Sequence, residues 1–401
     1  ISLIAIDEAH CISEWGHDFR PTYKNIPLIL NRAFGTKWPT LLCLSATVSQ
    51  TCCEEIQTDF NLDSKNVIRS GNMLRTNLNL SVELFKDGPA KLERLEEIID
   101  QNNIQKTIIY AHRKKSANQG TRALSAFYAA KGIACAAFDA DQKVTERDKI
   151  LAGFTTGEIT HVFATGAFGM GMDIDNIRSV IHFLLPESIE QYYQEVGRAG
   201  RDDDPADGIL LYAEVNSRVR RDMIQKQQLD EDQIRQIWKA VFNNSKSELK
   251  TISPADSFDS KGVTAGLFYQ FARLGAIDIL TRGPGQLNCW EGAGDKGSMF
   301  LNNLRSATRT SSLLLACKKL DLDVVAVMNQ LFEFFCLGEV KYVKSPAQSF
   351  IIRRNELSDA MVEQILDRSE NLIANRLNSF REFVSVIESG EIQEELSKRF
   401  S

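Results

Sequence analysis

Between residues 1 and about 217, short runs of β-branched and other apolar residues alternate with amphipathic stretches. This alternation narrows the possible folds more than any other feature of the chain. Apolar runs too short to be helices, each separated from the next by a helical repeat, are what parallel strands buried on both faces require. The pattern predicts strands at Ser2–Ile6, Thr40–Leu44, Lys106–Tyr110, Ala134–Phe138, His161–Ala164, Val180–Phe183 and Gly208–Leu211. It predicts helices at Ser49–Phe60, Lys91–Gln101, Ser116–Lys131, Thr145–Gly153 and Ile189–Gly197. The fold class is α/β, and 401 residues are too many for one ordinary domain.

From about Arg218 helical periodicity takes over, and one pattern occurs twice. Leu267–Arg273 runs into Leu274-Gly275, then Ala276–Leu280, a Gly/Pro turn and Leu287–Trp290; Leu331–Cys336 runs into Leu337-Gly338, then Glu339–Val343, a turn at Ser345-Pro346 and Phe350–Arg353. A helix, a Leu-Gly stop and a two-stranded hairpin is how a winged-helix unit ends. The expectation is one winged-helix-like unit over residues 218–295, a second over 296–355, and a helical tail over 356–401. Lys341, Lys344, Arg353 and Arg354 bracket the second hairpin, where they would meet phosphates or serve as ordinary solvated charges.

Composition excludes several classes. Hydrophobic residues make up 43% and charged residues 25% of the chain, which rules out wholesale disorder. No apolar run approaches the roughly 20 residues of a membrane span. The net charge of -6 is shared by both halves, so a histone-like coating of nucleic acid is excluded. The eight cysteines include no C-x-x-C pair, which leaves a zinc site unsupported and favours reduced, mostly buried thiols.

Asp7-Glu8-Ala9-His10 follows the first strand, where a parallel sheet opens its ligand crevice. In nucleotide hydrolysis an Asp at that place holds Mg²⁺ through water, and an adjacent Glu orients or deprotonates the attacking water. Four such letters alone read equally as a solvated strand end. The residues that follow, Cys11 to Pro21, carry Trp15, His17, Phe19 and Arg20, a set suited to stacking on single-stranded bases. A DEAH box running straight into an aromatic-rich loop resembles the RecQ family of superfamily-two DNA helicases.

Other strings extend the resemblance over residues 1 to about 215. Leu44-Ser45-Ala46-Thr47 looks like helicase motif III, Arg75-Thr76-Asn77-Leu78 like the lead into the second RecA-like lobe, and Ile108–Lys115 like motif IV. Ala164–Asp173 is similar to motif V, in which Thr165 would donate to the DNA backbone and Asp173 would lie near the nucleotide. Gln191–Asp202 resembles motif VI almost letter for letter, with Arg198 and Arg201 three apart on a helix face to reach one γ-phosphate. Where the family has Gly after Arg-Asp, this chain has Asp203.

The resemblance implies a remnant of lobe one over residues 1–70 and a complete lobe two over 71–217. It implies ATP and Mg²⁺ as cofactors, held by Asp7, His10, Gly171, Asp173, Gln194, Arg198 and Arg201, with Asp7 toward the metal. Catalysis falls to Glu8, Asp7, Arg198 and Arg201. DNA, as single strands and duplex junctions, is the implied partner, touched by Trp15, His17, Phe19, Arg20, Thr165, Lys344 and Arg353. The implied activity is 3′-to-5′ DNA unwinding, in the cytoplasm of a bacterium at the nucleoid or in a eukaryotic nucleus, with no membrane partner. The sequence contains no G-x-x-x-x-G-K-[ST] and opens at Ile1 inside a strand. The expectation is therefore an N-terminally truncated piece of a longer enzyme, inactive alone. Two rivals remain at this stage: a non-catalytic nucleic-acid-binding protein of helicase shape, and an RNA-directed DEAH protein.

Overall fold

A computed structural model describes every residue except 13–22, 24–25, 46–47, 49, 69–74, 102–103, 112–119, 169–173, 243–247, 253–262, 344–347 and 400–401. The chain divides into two units: residues 1–227 with 372–401, and residues 228–371.

The first unit opens with β1 (Leu3–Ile6), α1 (Ile26–Phe34), β2 (Thr40–Cys43) and α2 (Gln50–Phe60). Strands β1 and β2 are parallel, in register from Leu3 on Thr40 to Ile6 on Cys43. Ile6, Ile12, Leu30, Ile56 and Phe60 form the core of this segment.

There follow β3 (Leu78–Phe85), α3 (Gly88–Gln101), β4 (Lys106–Tyr110), α4 (Thr121–Ala130), β5 (Cys135–Phe138), α5 (Val144–Thr156), β6 (His161–Ala164), β7 (Ile177–His182), α6 (Ile189–Val196), β8 (Ala206–Ala213) and α7 (Glu214–Gln225). The six strands form one parallel sheet in the order β3-β8-β7-β4-β6-β5. Its central strands are buried on both faces, as their continuous apolar runs require: Ile108 and Val180 face one core, Ile109 and Ile181 the other. The edge strand β3 has no counterpart among the predicted strands, because Asn79, Ser81 and Glu83 interrupt its apolar run. Gly208 sits where α6 crosses the sheet: a Cβ there would come within 2.6 Å of Leu80 Cδ2 and 3.2 Å of Val196 Cγ1.

The second unit holds α8 (Glu231–Phe242), β9 (Leu249–Ile252), α9 (Val263–Arg273), β10 (Ile277–Pro284), β11 (Trp290–Gly292), α10 (Asp295–Ser306), α11 (Leu313–Leu320), α12 (Val324–Cys336), β12 (Val340–Tyr342) and β13 (Gln348–Arg354). Gly275 and Gly338 both take positive φ after their helices, at +77° and +75°. The two expected local hairpins do not form. Strand β10 pairs antiparallel with β13, and β11 with β12, so the strands of the two similar segments are exchanged. The reason lies in β13. Phe350 and Ile352 enter one core with Trp238, Phe268 and Phe271, while Ile351, on the opposite face, enters a second core with Trp290, Leu301 and Met328. A strand apolar on both faces needs cover on both, and β13 takes the centre of the order β10-β13-β9. Residues 228–371 thus pack as a single unit, where the sequence pattern suggested two in succession.

The chain ends in α13 (Asp359–Ser389) and α14 (Ile392–Arg399). Val362 and Ile365 belong to the core of the second unit; Ile373, Phe380, Phe383, Ile387, Ile392 and Leu396 belong to the core of the first. No helix among the described residues is long and apolar enough to cross a membrane.

Candidate active site

At the end of β1 the backbone is fixed before any side chain is considered. Leu44 N–H donates to Ile6 O at 2.9 Å and Ala9 N–H to Leu44 O at 2.8 Å, stitching the strand end to the segment after β2. Glu8 sits at φ +51°, in the left-handed region, which costs a non-glycine residue on the order of 1 kcal/mol. Its N–H donates to Asp7 Oδ1 at 2.9 Å. Asp7 is exposed, and the Tyr23 hydroxyl donates to its carbonyl at 3.2 Å. His10 is buried; its Nδ1 lies 3.0 Å from Ser45 Oγ and 3.3 Å from Glu8 Oε2. Asp7, Glu8, His10 and Ser45 therefore form one hydrogen-bonded group, and His10 is the link between the carboxylate pair and the second strand's end. A proton on Nδ1 has Glu8 or Ser45 as its acceptor.

The second group lies on the six-stranded sheet. Ser188 caps α6, its hydroxyl accepting from Gln191 N–H at 3.2 Å, while Gln191 Oε1 accepts from Glu187 N–H at 2.8 Å. The helix stops at Val196, so Arg198 and Arg201 stand on the turn that follows it, not on a helix face as the spacing suggested. The turn exists because Gly200 takes φ +62°. Asn77 Nδ2 donates to Gly200 O and Asp204 O, both at 2.8 Å, and Arg75 donates to Gly197 O. A Cβ on Gly200 would meet Asn77 Nδ2 at 2.6 Å, so this glycine is also needed for the close approach. Asp203, which stands where the resembling family has Gly, has φ +64°. Asp tolerates that region better than most residues, and the departure leaves the turn intact.

Arg198 is half-buried and Arg201 exposed, and the two line a small recess with Phe168, Ile174 and Ile177. Burial and the neighbouring Arg201 push the Arg75 guanidinium below its usual range. Burial raises the Tyr110 phenol well above its ordinary value, with Arg198 pulling the other way. The Tyr110 hydroxyl donates to Phe168 O at 2.8 Å and so ties β4 to the loop after β6.

Thr165 is buried at the end of β6, with its hydroxyl accepting from Ala167 N–H at 3.4 Å. Gln194 is half-buried on α6. Trp15, His17, Phe19, Arg20, Gly171, Asp173, His112 and Lys344 lie outside the described residues. Arg353 is exposed but engaged: its Nε is 3.1 Å from Glu248 and its Nη1 3.7 Å from Asp278. Lys341 likewise pairs with Glu291 at 3.1 Å. No group of three or more potential metal ligands of the His, Cys, Asp or Glu type occurs among the described residues.

Sequence reasoning missed the support beneath α6. His182 Nε2 and Glu195 Oε2 are 2.8 Å apart, both buried, and Gln191 Nε2 donates to Glu195 Oε1 at 3.0 Å. Glu187 receives Arg376 and lies 3.6 Å from Arg220 Nη1. Glu187 and Glu195 stand within or beside the motif VI string, but their partners do not. No local signal names a residue 189 positions away as the partner of Glu187.

A parallel sheet whose helix α6 ends in a pinned, doubly arginine-bearing turn, with a DEAH group at the end of β1, is the arrangement that the sequence motifs suggested. Comparisons with known proteins point the same way. A family model described as the helicase conserved C-terminal domain matches residues 90–203. The ATP-dependent DNA helicase RecQ of Bacillus subtilis (strain 168) is 34% identical over 233 residues, 58% of this chain and 38% of that protein. The ATP-dependent DNA helicase RecQ of Pasteurella multocida (strain Pm70) is 38% identical over 213 residues, 53% of this chain and 32% of that protein. The ATP-dependent helicase wrn-1 of Caenorhabditis elegans is 37% identical over 209 residues, 51% of this chain and 19% of that protein. Over roughly half its length the chain is similar to helicases of the RecQ type. It spans about a third of the length of the bacterial RecQ relatives it matches.

Proposed function

We propose that the protein is an ATP-dependent DNA helicase that uses ATP hydrolysis to move along one strand, 3′-to-5′, and open duplexes and junctions. The observation that carries this reading is the arginine turn: Arg198 and Arg201 are presented from a segment pinned by Arg75 and Asn77, as a group that must meet spreading phosphate charge requires. In this mechanism Asp7 and Glu8 act from the strand end. The exposed Asp7 carboxylate is a hard oxygen donor, the kind that holds Mg²⁺ through its water shell. The ion, when bound, neutralises charge on the transferring phosphate. Glu8 orients the attacking water and accepts its proton, and His10 holds Glu8 in place through Nδ1. The same Nδ1 lies 3.0 Å from Ser45 Oγ, so a change at Glu8 alters which of the two it serves and thereby reaches the segment after β2.

Single-stranded DNA is proposed to stack on the rings of Trp15 and Phe19, with His17 and Arg20 beside them, and Thr165 to serve the backbone. Since Lys341 and Arg353 are held by carboxylates, any phosphate they take competes with those pairs.

In the complete gene product, Arg201→Ala and Glu8→Gln are expected to lower DNA-stimulated ATP turnover on the order of 10³-fold while ATP binding persists. Parental turnover in either variant removes that residue from the reaction. Unwinding of RNA duplexes in preference to DNA would overturn the choice of substrate. The 401-residue chain, whose sequence has no Walker A loop, is expected to hydrolyse ATP negligibly by itself.

A further inference from the structure

We propose that the terminal helices α13 and α14 are positioning elements for Arg198 and Arg201, gripping α6 at the end opposite the arginine turn. This rests on the reading of the two arginines given above.

The grip is built from three contacts within the first unit. Phe383, 1% exposed, lies with its ring centroid 5.7 Å from that of Tyr192, which is fully buried in the middle of α6. Arg376 donates two bonds to Glu187, one residue before the Ser188 cap, with Nε at 3.1 Å. Arg399 lies 3.4 Å from Glu190 in the first turn of α6. Two of the contacts are arginine–glutamate ion pairs and the third is a ring contact, and all three fall within six residues of the chain. They fix the roll of the helix through Tyr192 and its start through Glu187 and Glu190.

At its other end α6 is held by Arg75 and Asn77, which bond the carbonyls of Gly197 and Gly200. Between the two sets, Tyr192 and Glu195 both touch His182: the rings of Tyr192 and His182 are 5.0 Å apart, and Glu195 is hydrogen-bonded to its Nε2. A shift of α6 at Tyr192 therefore reaches Arg198, two residues past Val196, through Gly197, whose N–H donates to Tyr193 O at 2.9 Å and whose carbonyl accepts from Arg75. Hydrolysis is sensitive to such shifts, because a misplacement of about 1 Å in a charge-stabilising group can cost on the order of 10²-fold in rate.

Two measurements decide the matter. Hydrogen–deuterium exchange on the 401-residue chain reads the grip, and ATP turnover by the complete gene product reads its consequence. Phe383→Ala is expected to speed exchange of the amides over 192–199 by about tenfold or more, with those of β4 and β6 unchanged. It is expected to lower kcat about tenfold, leave the KM for ATP within about twofold, and be restored by Phe383→Leu. Arg376→Gln is expected to act alike over 187–192, and it decides the question if Phe383→Ala fails to fold. Parental exchange over α6 in these variants overturns the grip while the roles of Arg198 and Arg201 stand. Faster exchange over α6 with parental kcat overturns the positioning role. Parental turnover in Arg198→Ala and Arg201→Ala overturns the reading of the site itself, and the positioning role with it.

Discussion

The six-stranded sheet and the unit at residues 228–371 are both mixed helix-and-strand structures, yet they were specified differently. In the sheet every strand except β6 is followed by a helix before the next strand, and every neighbouring pair is parallel. Short apolar runs and intervening amphipathic helices therefore settle the fold, since parallel crossovers admit essentially one hand. In the second unit the strands are antiparallel and could have closed local hairpins. They pair instead across 77 and 52 residues, Ile277 with Arg354 and Trp290 with Tyr342. Where strands can pair with more than one partner, burial of both faces outweighs the shorter loop, because loop-closure entropy grows only slowly with length.

The comparison breaks most visibly at β13. Ile351 is fully buried in one core while its neighbours Phe350 and Ile352 fill the other. Ile351→Ala is expected to destabilise residues 228–371 by about 2–5 kcal/mol as one cooperative transition, followed by denaturant melting of Trp238 and Trp290 fluorescence. Two separate transitions, only one of them shifted, would restore the picture of independent hairpin-closed units.

Acid sharpens the contrast from the other side. All five histidines lie in the first unit and none in residues 228–371. His161 is fully buried, with Nδ1 2.9 Å from Thr160 Oγ1, and burial lowers its pKa from 6.5 to about 4. A folded pKa below the unfolded one means that stability is present above pH 6.5 and is lost as pH falls toward 4. The loss is at most about 3 kcal/mol. Calorimetric melting between those pH values is expected to lower the transition of the first unit, and His161→Phe to remove most of that slope. An equal slope in the second unit would show that His161 is not its source.

The smallest effect separates two glycines. Gly200 and Gly275 both have positive φ, +62° and +77°, but a Cβ on Gly200 would strike Asn77, whereas one on Gly275 has nothing within 4 Å. Gly275→Ala is expected to cost about 1 kcal/mol, the left-handed conformation alone, and Gly200→Ala about 2–3 kcal/mol with loss of the Asn77 bonds. Equal costs in thermal melts would mean that the arginine turn is not pinned by close packing.

Much of the candidate site was legible because its residues come in contiguous strings with fixed chemical demands. Asp7 and Glu8 follow a strand, and Arg198 and Arg201 sit in the Gln191–Asp202 string. The edge strand β3 was not legible, since Asn79, Ser81 and Glu83 weaken its apolar signal. Nor was the turn geometry: a spacing of three suggests a helix face, but Gly200 ends that possibility through its φ.

By itself the sequence determined the α/β class, the places of most strands in the first unit, the carboxylate pair and the arginine pair. These depend on short-range periodicity and on residue types whose chemistry has few substitutes. Only the tertiary structure decided that Arg75 and Asn77 pin the arginine turn from 122 and 123 residues away, that Arg376 reaches Glu187, and that β10 and β13 are partners. The physical reason is common to all of them. A charge or an apolar face specifies that it must be satisfied but not by which distant group, and that choice is made only when the whole chain is packed.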